Sequence, residues 1–204
     1  MRYFVTGIDT DVGKTVVSAV LTEALAADYW KPVQCGYPRD TETVASLVSN
    51  PHSKFHQEHW LLEEPASPHQ AAAHQGLSLR LEDIKLPDYD TDLIIEGAGG
   101  LMVPLNQQEL LLDIAKKFAD QVILVVRLYL GCINHSLLTI EVLKQHGLTL
   151  GGIIFNGDRN EHSESVIIEK SGVRQWLHLE ANSKINSQKI SAWAQELKNN
   201  WQPV

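Results

Sequence analysis

YFVTGIDTDVGKT, residues 3–15, decides the fold of this chain. The stretch combines a short apolar strand, a loop between Gly7 and Gly13, and a helix that starts at Gly13-Lys14-Thr15. The backbone N–H groups of such a loop point inward and the helix adds the positive end of its dipole, which favours a polyphosphate. We therefore expect Lys14 to reach the terminal phosphates and the hydroxyl of Thr15 to ligate Mg²⁺.

The loop is a variant of the usual phosphate-binding pattern. Gly7 and Gly13 enclose five residues, one more than in that pattern. The alternative is an ordinary strand-turn-helix in which Gly13 only permits a tight turn. The apolar strand directly before the loop favours nucleotide binding.

Length and composition indicate one globular domain over residues 1–204. Of the 204 residues, 44% are hydrophobic and 21% are charged, and the formal net charge of -8 argues against a nucleic-acid partner held by a basic face. Cys35 and Cys132 are too few for a disulfide framework, which indicates a reducing compartment. The start of the chain does not fit a signal peptide, and no apolar run has the length of a membrane span. We therefore expect a cytoplasmic protein without a membrane partner.

Alternating strands and helices predict the fold class. Apolar runs predict later strands at 30–34, 92–96, 121–128 and 148–155, and helical spacing predicts helices at 16–27, 40–48, 110–118, 133–145 and 190–201. We read 50–79 as surface loops with a short helix near 70–73. The expected fold is α/β, a doubly wound, mostly parallel sheet flanked by helices and similar to P-loop NTPases, with ligands at the carboxyl ends of the strands.

Two acidic residues are candidate Mg²⁺ ligands. Glu96 closes a predicted strand, so its carboxylate should point into the crevice near the phosphate loop. The glycines that follow, beginning at Gly97, permit close approach of the backbone to a ligand. The alternative for Glu96 is a solvated charge at a strand end. Asp40 either supplies a second metal ligand or caps a helix as its N-cap residue.

Other polar residues also follow predicted strands. Lys31 is placed to stabilise negative charge during transfer, or it is a solvated surface lysine. Asn156 has an amide that suits a purine edge, although a turn-forming Asn-Gly is the simpler explanation. The helix start at 131–134 offers N–H groups to a carboxylate. A metal site built from Cys132 and His135 would need further ligands.

Six motifs together resemble the dethiobiotin synthetase family. They are GIDTDVGKTV (7–16), WKPVQCG (30–36), EEPASPH (63–69), LIIEGAGGLMVPL (93–105), LGCINHSLLT (130–139) and IIFNGD (153–158). The resemblance implies an ATP- and Mg²⁺-dependent ligase of biotin biosynthesis. In that family CO₂ carbamates one amine of 7,8-diaminononanoate, ATP phosphorylates the carbamate, and the other amine displaces phosphate to close a cyclic urea. A homodimer with the substrate site at the subunit interface is also implied.

The resemblance assigns roles residue by residue. Thr10, Lys14 and Lys31 are the implied catalytic residues, and Thr15, Asp40 and Glu96 the implied metal ligands. Nucleotide binding falls to Asp11, Val12, Gly13, Lys14, Thr15, Val16, Asp40, Glu96, Gly97, Ala98, Gly99 and Asn156. Substrate binding falls to Lys31 and Cys35, and to Gly131, Cys132, Ile133 and Asn134 of the neighbouring subunit, which would hold the substrate carboxylate.

The chain departs from the family pattern in three places. Cys35 stands where Ser or Thr is common, and a thiol is a poorer hydrogen-bond partner. The link 28–29 before the second strand is several residues shorter than expected, which predicts a truncated or shifted strand. The segment 176–180 replaces the proline-containing adenine loop, so the adenine side of the pocket should differ.

Three rival functions are distinguishable from this one. Partitioning or division ATPases of the same superfamily carry a lysine five residues before the loop lysine, where this chain has Asp9, and usually show a basic surface. Cobyrinate-type amidoligases add a glutamine-hydrolysing domain, for which 204 residues leave no room. The third rival is a non-catalytic nucleotide-binding module.

Overall fold

The computed structural model describes residues 1–181 and 184–201. Within them the strands are β1 Arg2–Gly7, β2 Asp28–Trp30, β3 Val33–Cys35, β4 Phe55–His56, β5 Trp60–Leu62, β6 Leu93–Glu96, β7 Gln121–Arg127, β8 Leu150–Gly157 and β9 Gln175–Glu180. The α-helices are α1 Lys14–Leu25, α2 Asp40–Leu47, α3 Pro68–His74, α4 Leu111–Phe118, α5 Cys132–Gln145, α6 Glu161–Ser171 and α7 Ser187–Asn200. A short 3-10 helix covers Leu81–Asp83.

Seven of these strands form one parallel sheet in the order β4-β2-β6-β1-β7-β8-β9. Strand β1 lies between β6 and β7, and Val5 is paired with Glu96 on one side and with Ile123 on the other. Because the strands are parallel, the carboxyl ends of β1 and β6 meet at the same edge of the sheet. The predicted doubly wound parallel fold is confirmed.

Helices cover both faces of the sheet. Alternate residues of each strand point to opposite sides, so each strand contributes side chains to the core on both faces. Tyr3 and Val5 pack with α1 and α7, whereas Phe4 packs in a second cluster with α4. Strands buried on both faces need the near-continuous apolar runs that β1 and β7 carry. These two clusters pack on opposite faces of β1, the strand that leads into the phosphate loop.

The prediction of a single strand at 30–34 is wrong. The chain leaves the main sheet after Trp30, and residues from Val33 onward pair with β5 in a separate two-stranded parallel sheet. Pro32 lies between the two strands and has no N–H to donate to a ladder. Its carbonyl instead accepts the backbone N–H groups of His59 and Trp60, both at 3.0 Å. This break directs the segment at Lys31 toward the carboxyl edge of the sheet.

Three other features differ from the prediction. Residues 50–79 contain β4 and β5 besides α3, and these strands of two and three residues are too short for an alternating pattern to predict. The elements α6 and β9 have no counterpart in the predicted pattern. The N-cap of α2 is Arg39, so the prediction of Asp40 as N-cap is wrong. Asp40 is the first helical residue, and its carboxylate contacts Lys31 instead of the helix terminus.

The apolar stripe of the last predicted helix lies in the core. Ile190, Trp193 and Leu197 are buried on α7, and the ring of Trp201 lies 4.3 Å from that of Trp176. Within the described residues, no helix combines the length and the apolar character needed to cross a membrane.

Candidate active site

A cavity of about 720 Å³ opens at the carboxyl edge of the sheet. It lies beside the ends of β1, β2 and β6 and the start of α1, where a parallel sheet places ligands. Its lining consists of Thr10, Asp11, Gly13, Lys14, Thr15, Lys31, Gln34, Cys35, Pro38, Asp40, Pro65, Ala66, Ser67, Pro68, Glu96, Ala98, Gly99 and Val103. The three predicted catalytic residues and the three predicted metal ligands are therefore neighbours of one space.

The phosphate loop has a backbone that few sequences can adopt. Gly13 has φ +99°, and a Cβ there would lie 2.5 Å from Asn156 Nδ2. A Cβ at Gly7 would lie 2.4 Å from Val12 Cγ2. Lys14 Nζ folds back and donates to the carbonyl of Asp9 at 3.0 Å. Gly7 is thus required by close contacts inside the loop, and Gly13 by its positive φ and its contact with Asn156 of β8. These constraints go beyond a glycine that only permits a tight turn.

Glu96 is a buried carboxylate at the end of β6, with 1% of its surface exposed. Its Oε1 accepts from Thr15 Oγ1 at 2.9 Å and from Lys31 Nζ at 3.1 Å, and its Oε2 accepts from Tyr29 Oη at 3.0 Å. Burial opposes ionisation, but the neighbouring Lys31 ammonium and the other donors outweigh it and hold the pKa of Glu96 below its usual range. Glu96 is therefore an internal anion and not a solvated charge.

Lys31 is the cation that balances this anion. Its side chain is 6% exposed, and Nζ contacts both Glu96 and Asp40. Burial alone would lower the pKa of Lys31, but the two carboxylates reverse that effect and raise it. The side chain is therefore charged and faces the cavity, which excludes the reading of a solvated surface lysine.

Lys14 experiences a different environment in the same cavity. Burial lowers the pKa of Lys14, the positive charge of Lys31 adds to that effect, and Glu96 offsets it only in part. Two lysines with oppositely shifted pKa values thus face one space. An anionic ligand such as a polyphosphate would relieve the unfavourable environment of Lys14.

The predicted metal ligands form a donor set that suits Mg²⁺. Thr15, Asp40 and Glu96 offer one hydroxyl and two carboxylates, which are hard oxygen donors. Within the described part of the chain, no group of three or more His, Cys, Asp or Glu side chains could hold a metal ion. Mg²⁺ is usually held by one or two carboxylates together with substrate phosphates and water.

Cys35 lines the cavity near Lys31. Burial raises the pKa of the Cys35 thiol to about 11, although the charge of Lys31 acts in the opposite direction. The group is therefore a neutral thiol at physiological pH. It can pack against a ligand and donate a weak hydrogen bond, but it does not supply a thiolate nucleophile.

Asn156 stands beside the loop and is not among the residues that line the cavity. Its Nδ2 donates to the carbonyl of Val12 at 2.8 Å, so one side of the amide supports the phosphate loop. The segment 176–180 forms strand β9, and its Trp176 packs in the core against Gly152, where a Cβ would lie 2.3 Å from the ring. Much of that segment is therefore core, not a nucleotide loop.

The start of α5, which the resemblance assigns to the substrate site of the neighbouring subunit, lies outside this cavity. Gly131, Cys132, Ile133 and Asn134 do not line the cavity of this chain. Cys132 is buried in a core cluster, and His135 Nδ1 lies 2.6 Å from the hydroxyl of Tyr129. The Cys132 thiol therefore packs in the core and the His135 imidazole pairs with Tyr129, which does not fit a metal site shared by the two.

Among the predicted nucleotide-binding residues, four do not line the cavity. Val12 is a buried residue of the loop itself, and Val16 packs against the core from α1. Gly97 continues β6 with a hydrogen bond from its N–H to the carbonyl of Val5 at 3.0 Å. Asn156 is the fourth, as described above. These residues shape the loop and the strand end and do not face the open space.

Residues of the cavity wall that the sequence reasoning did not assign include Gln34 and the segment 65–68. Gln34 Oε1 accepts the backbone N–H of Asp40 at 3.1 Å, and its Nε2 donates to the carbonyl of Gly36 at 3.1 Å. Gln34 and the segment 65–68 lie inside two motifs of the family resemblance, WKPVQCG and EEPASPH. Membership in these motifs is the one sequence signal for a place in the site, because neither Gln34 nor 65–68 has a charge or a periodic pattern.

Similar proteins identify the family. A family model described as an AAA domain matches residues 1–189. The chain is 48% identical over 202 residues to the ATP-dependent dethiobiotin synthetase BioD of Cytophaga hutchinsonii, covering 98% of each chain. It is 46% identical over 198 residues to the protein of the same name from Christiangramia forsetii, covering 96% of this chain and 95% of the relative.

Solved structures share the fold at low identity. The ParA family ATPase from Chlorobium tepidum has a TM-score of 0.54 at 11% identity, covering 95% of this chain and 98% of that structure. The septum site-determining protein MinD in complex with Mg-ADP, from Pyrococcus horikoshii, has a TM-score of 0.53 at 14% identity, covering 97% and 95%. These likenesses show the P-loop ATPase fold, whereas the close relatives show the family. The chain belongs to the ATP-dependent dethiobiotin synthetase family.

Proposed function

We propose that this chain closes the cyclic urea ring of dethiobiotin from 7,8-diaminononanoate and CO₂, with ATP as phosphoryl donor. One amine adds to CO₂ and loses a proton, giving a carbamate. A carbamate oxygen then bonds to the terminal phosphorus of ATP and ADP leaves. The second amine attacks the carbamoyl carbon, loses a proton and expels phosphate, which closes the ring.

The residues of the cavity suit this sequence of anions. Lys14, at the start of α1, would contact the phosphates of ATP, and Thr10 and Asp11 would face phosphates and substrate from the same loop. Lys31 would neutralise charge that develops between the carbamate and the transferring phosphoryl group. Thr15, Asp40 and Glu96 would hold Mg²⁺, which supplies further neutralisation of the phosphate oxygens when it is bound.

One observation carries the proposal. The Lys31 ammonium and the Thr15 hydroxyl donate to one oxygen of Glu96, in a single cavity that also contains Lys14. A phosphoryl-transfer site needs positive charge and metal-binding oxygens at one place, and this arrangement provides both.

The test is the substrate dependence of phosphate release. Phosphate should appear only when ATP, Mg²⁺, 7,8-diaminononanoate and bicarbonate are all present, and dethiobiotin should form in equal amount. ATP hydrolysis that proceeds without the diamine and responds to a protein or membrane partner would instead indicate a switch ATPase of the ParA or MinD kind.

We further propose that the chain acts as a homodimer in which the start of α5 completes the partner's substrate site. The segment at 131–134 does not line the cavity of its own chain, yet it is flanked by exposed apolar side chains, including Leu130 and Leu138. A groove of about 420 Å³ between α5 and the loop at Met102 adds further apolar surface. Exposed apolar patches of this kind mark interaction sites.

A further inference from the structure

A short segment predicted to be a surface loop carries a buried acid. The side chain of Glu58 is 1% exposed and lies between β4 and β5. Its Oε1 accepts from Thr41 Oγ1 at 2.7 Å and from Arg39 Nε at 3.3 Å, and its Oε2 contacts Arg39 through a second guanidinium nitrogen. An arginine–carboxylate pair with two parallel contacts has a defined orientation as well as a strong attraction.

These two partners flank one residue of the active site. Arg39 is the N-cap of α2 and Thr41 is its second residue, so Glu58 holds the residues immediately before and after Asp40. The backbone N–H of Asp40 is held from another side by Gln34. Glu58 does not itself line the cavity.

The same segment also holds the link between β2 and β3 that contains Lys31. The backbone N–H groups of His59 and Trp60 donate to the carbonyl of Pro32, the residue after Lys31. Residues 58–60 therefore connect the α2 start, through the Glu58 carboxylate, with the Lys31 segment, through two backbone hydrogen bonds. Asp40 and Lys31 in turn contact each other directly in the cavity wall.

We propose that Glu58 is a positioning residue for the metal site, fixing the start of α2 so that the Asp40 carboxylate faces the cavity beside Lys31. This inference rests on the proposed role of Asp40 as an Mg²⁺ ligand. Groups that orient metal ligands through hydrogen bonds are often as important as the ligands themselves. Here the orientation passes through the backbone, since both neighbours of the ligand are held.

A merely structural role for Glu58 predicts a different outcome. A buried ion pair that only stabilises the fold would, when broken, lower the free energy of unfolding and leave the metal affinity of the remaining folded protein unchanged. A positioning role predicts weaker metal binding by folded protein whose affinity for the nucleotide alone is normal. The two measurements together separate the roles.

The experiment measures Mn²⁺ binding by electron paramagnetic resonance in the presence of ADP, and ADP binding in the presence of EDTA by calorimetry. Glu58→Gln keeps the shape and removes the charge that orients Arg39. Thr41→Val removes one hydroxyl, and Thr41→Ser restores it, which supplies a conservative rescue. Asp120→Asn is the control, because Asp120 also pairs with an arginine, through two contacts of Arg2 to its Oδ1, at the opposite edge of the sheet.

Glu58→Gln should weaken Mn²⁺ binding about 10-fold, at the low end for groups that orient metal ligands. Thr41→Val should weaken it by a smaller factor, while Thr41→Ser and Asp120→Asn should bind Mn²⁺ as the unmodified chain does. ADP affinity in EDTA should be unchanged in all four variants. Because Thr41→Val leaves the Arg39 pair intact, it tests the proposal even if Glu58→Gln does not fold.

Two results would overturn the proposal, and a fifth variant, Asp40→Asn, distinguishes them from a failure of the proposed function. Normal Mn²⁺ affinity in both Glu58→Gln and Thr41→Val, with weakened affinity in Asp40→Asn, would show that Asp40 binds metal without help from Glu58. An equal loss in Asp120→Asn would show that the effect is a general loss of stability. Normal Mn²⁺ affinity in Asp40→Asn would remove the metal role of Asp40 itself, and with it the basis of the inference.

Discussion

Lys31 Nζ lies 3.1 Å from Glu96 Oε1, the same oxygen that accepts the hydroxyl of Thr15. In this arrangement the ammonium balances the two carboxylates that are proposed to hold Mg²⁺, Glu96 and Asp40. A buried carboxylate without such a partner would be strongly unfavourable. The lysine thus stabilises the site and stands where it could neutralise the charge of a transferring phosphoryl group.

Replacing Lys31 should separate catalysis from nucleotide binding. We expect Lys31→Ala to lower kcat by about 100-fold or more, the usual effect of removing one group that stabilises transition-state charge. ATP should still bind, because the phosphate loop is unchanged. Steady-state kinetics and calorimetry with a non-hydrolysable ATP analogue measure the two quantities, with Lys54→Ala as a control on an exposed lysine paired with Asp90. Loss of ATP binding in Lys31→Ala would show that Lys31 is structural.

Lys14→Ala should abolish turnover and weaken nucleotide binding. Lys14 is buried at the start of α1, and its position in the loop makes it the expected partner of the terminal phosphates. The measurements are phosphate release under saturating substrates and ADP affinity by calorimetry. Turnover that persists at a substantial fraction of the original rate would contradict the assigned role of the loop.

Cys35→Ser should be tolerated. The thiol is neutral, because burial raises its pKa to about 11, and a serine hydroxyl is a better hydrogen-bond partner at the same place. We expect kcat and the KM for the diamine to change by no more than about threefold, which corresponds to one ordinary hydrogen bond. A large rise in KM for 7,8-diaminononanoate would show that the thiol has a role of its own in substrate binding.

Glu23 should contribute stability that is lost in acid. Its carboxylate accepts the backbone N–H groups of Ser49 and Asn50 at 2.7 and 3.0 Å. Burial acts in the opposite direction, but these hydrogen bonds hold the pKa of Glu23 below the ordinary 4.5. A carboxyl with a lowered folded-state pKa stabilises the fold above its unfolded-state pKa, and that stability disappears as the pH falls through the folded-state pKa.

Glu23→Gln should therefore cost about 1–2 kcal/mol of unfolding free energy near pH 7, as expected for hydrogen bonds to a charged group. The difference from the unmodified chain should shrink well below pH 4.5. Urea denaturation at several pH values measures it, with Glu169→Gln, on an exposed residue, as the control. A difference that stays constant across this pH range would contradict the assigned hydrogen bonds.

The proposed homodimer predicts a mutation that acts on the substrate without touching the nucleotide. Leu130 is fully exposed beside the start of α5, so Leu130→Asp should shift the chain toward monomer in light scattering after gel filtration. KM for the diamine should rise while ADP affinity is unchanged. Leu77→Asp, which alters another exposed leucine, is the control. A dimer that persists in Leu130→Asp with a raised KM would place the interface elsewhere.

Local sequence patterns were enough to predict the centre of the fold. The stretch 3–15 combines an apolar strand, glycines and a helix start, and each of these signals depends only on neighbouring residues. Glu96 could be assigned to a strand end in the same way. The order of such segments then predicts a parallel sheet, since strands separated by helices must cross over.

What the sequence by itself determined was the parallel α/β fold, the phosphate loop and the family, because periodicity, glycine placement and ordered motifs are local features of the chain. Tertiary structure alone decided that Pro32 splits the second strand between two sheets and that Glu58, which lies outside the motifs, holds the start of α2. It also decided that Asn156 supports the phosphate loop through Val12. These contacts join residues distant in sequence, and they depend on strand register and burial, which no short window of residues encodes.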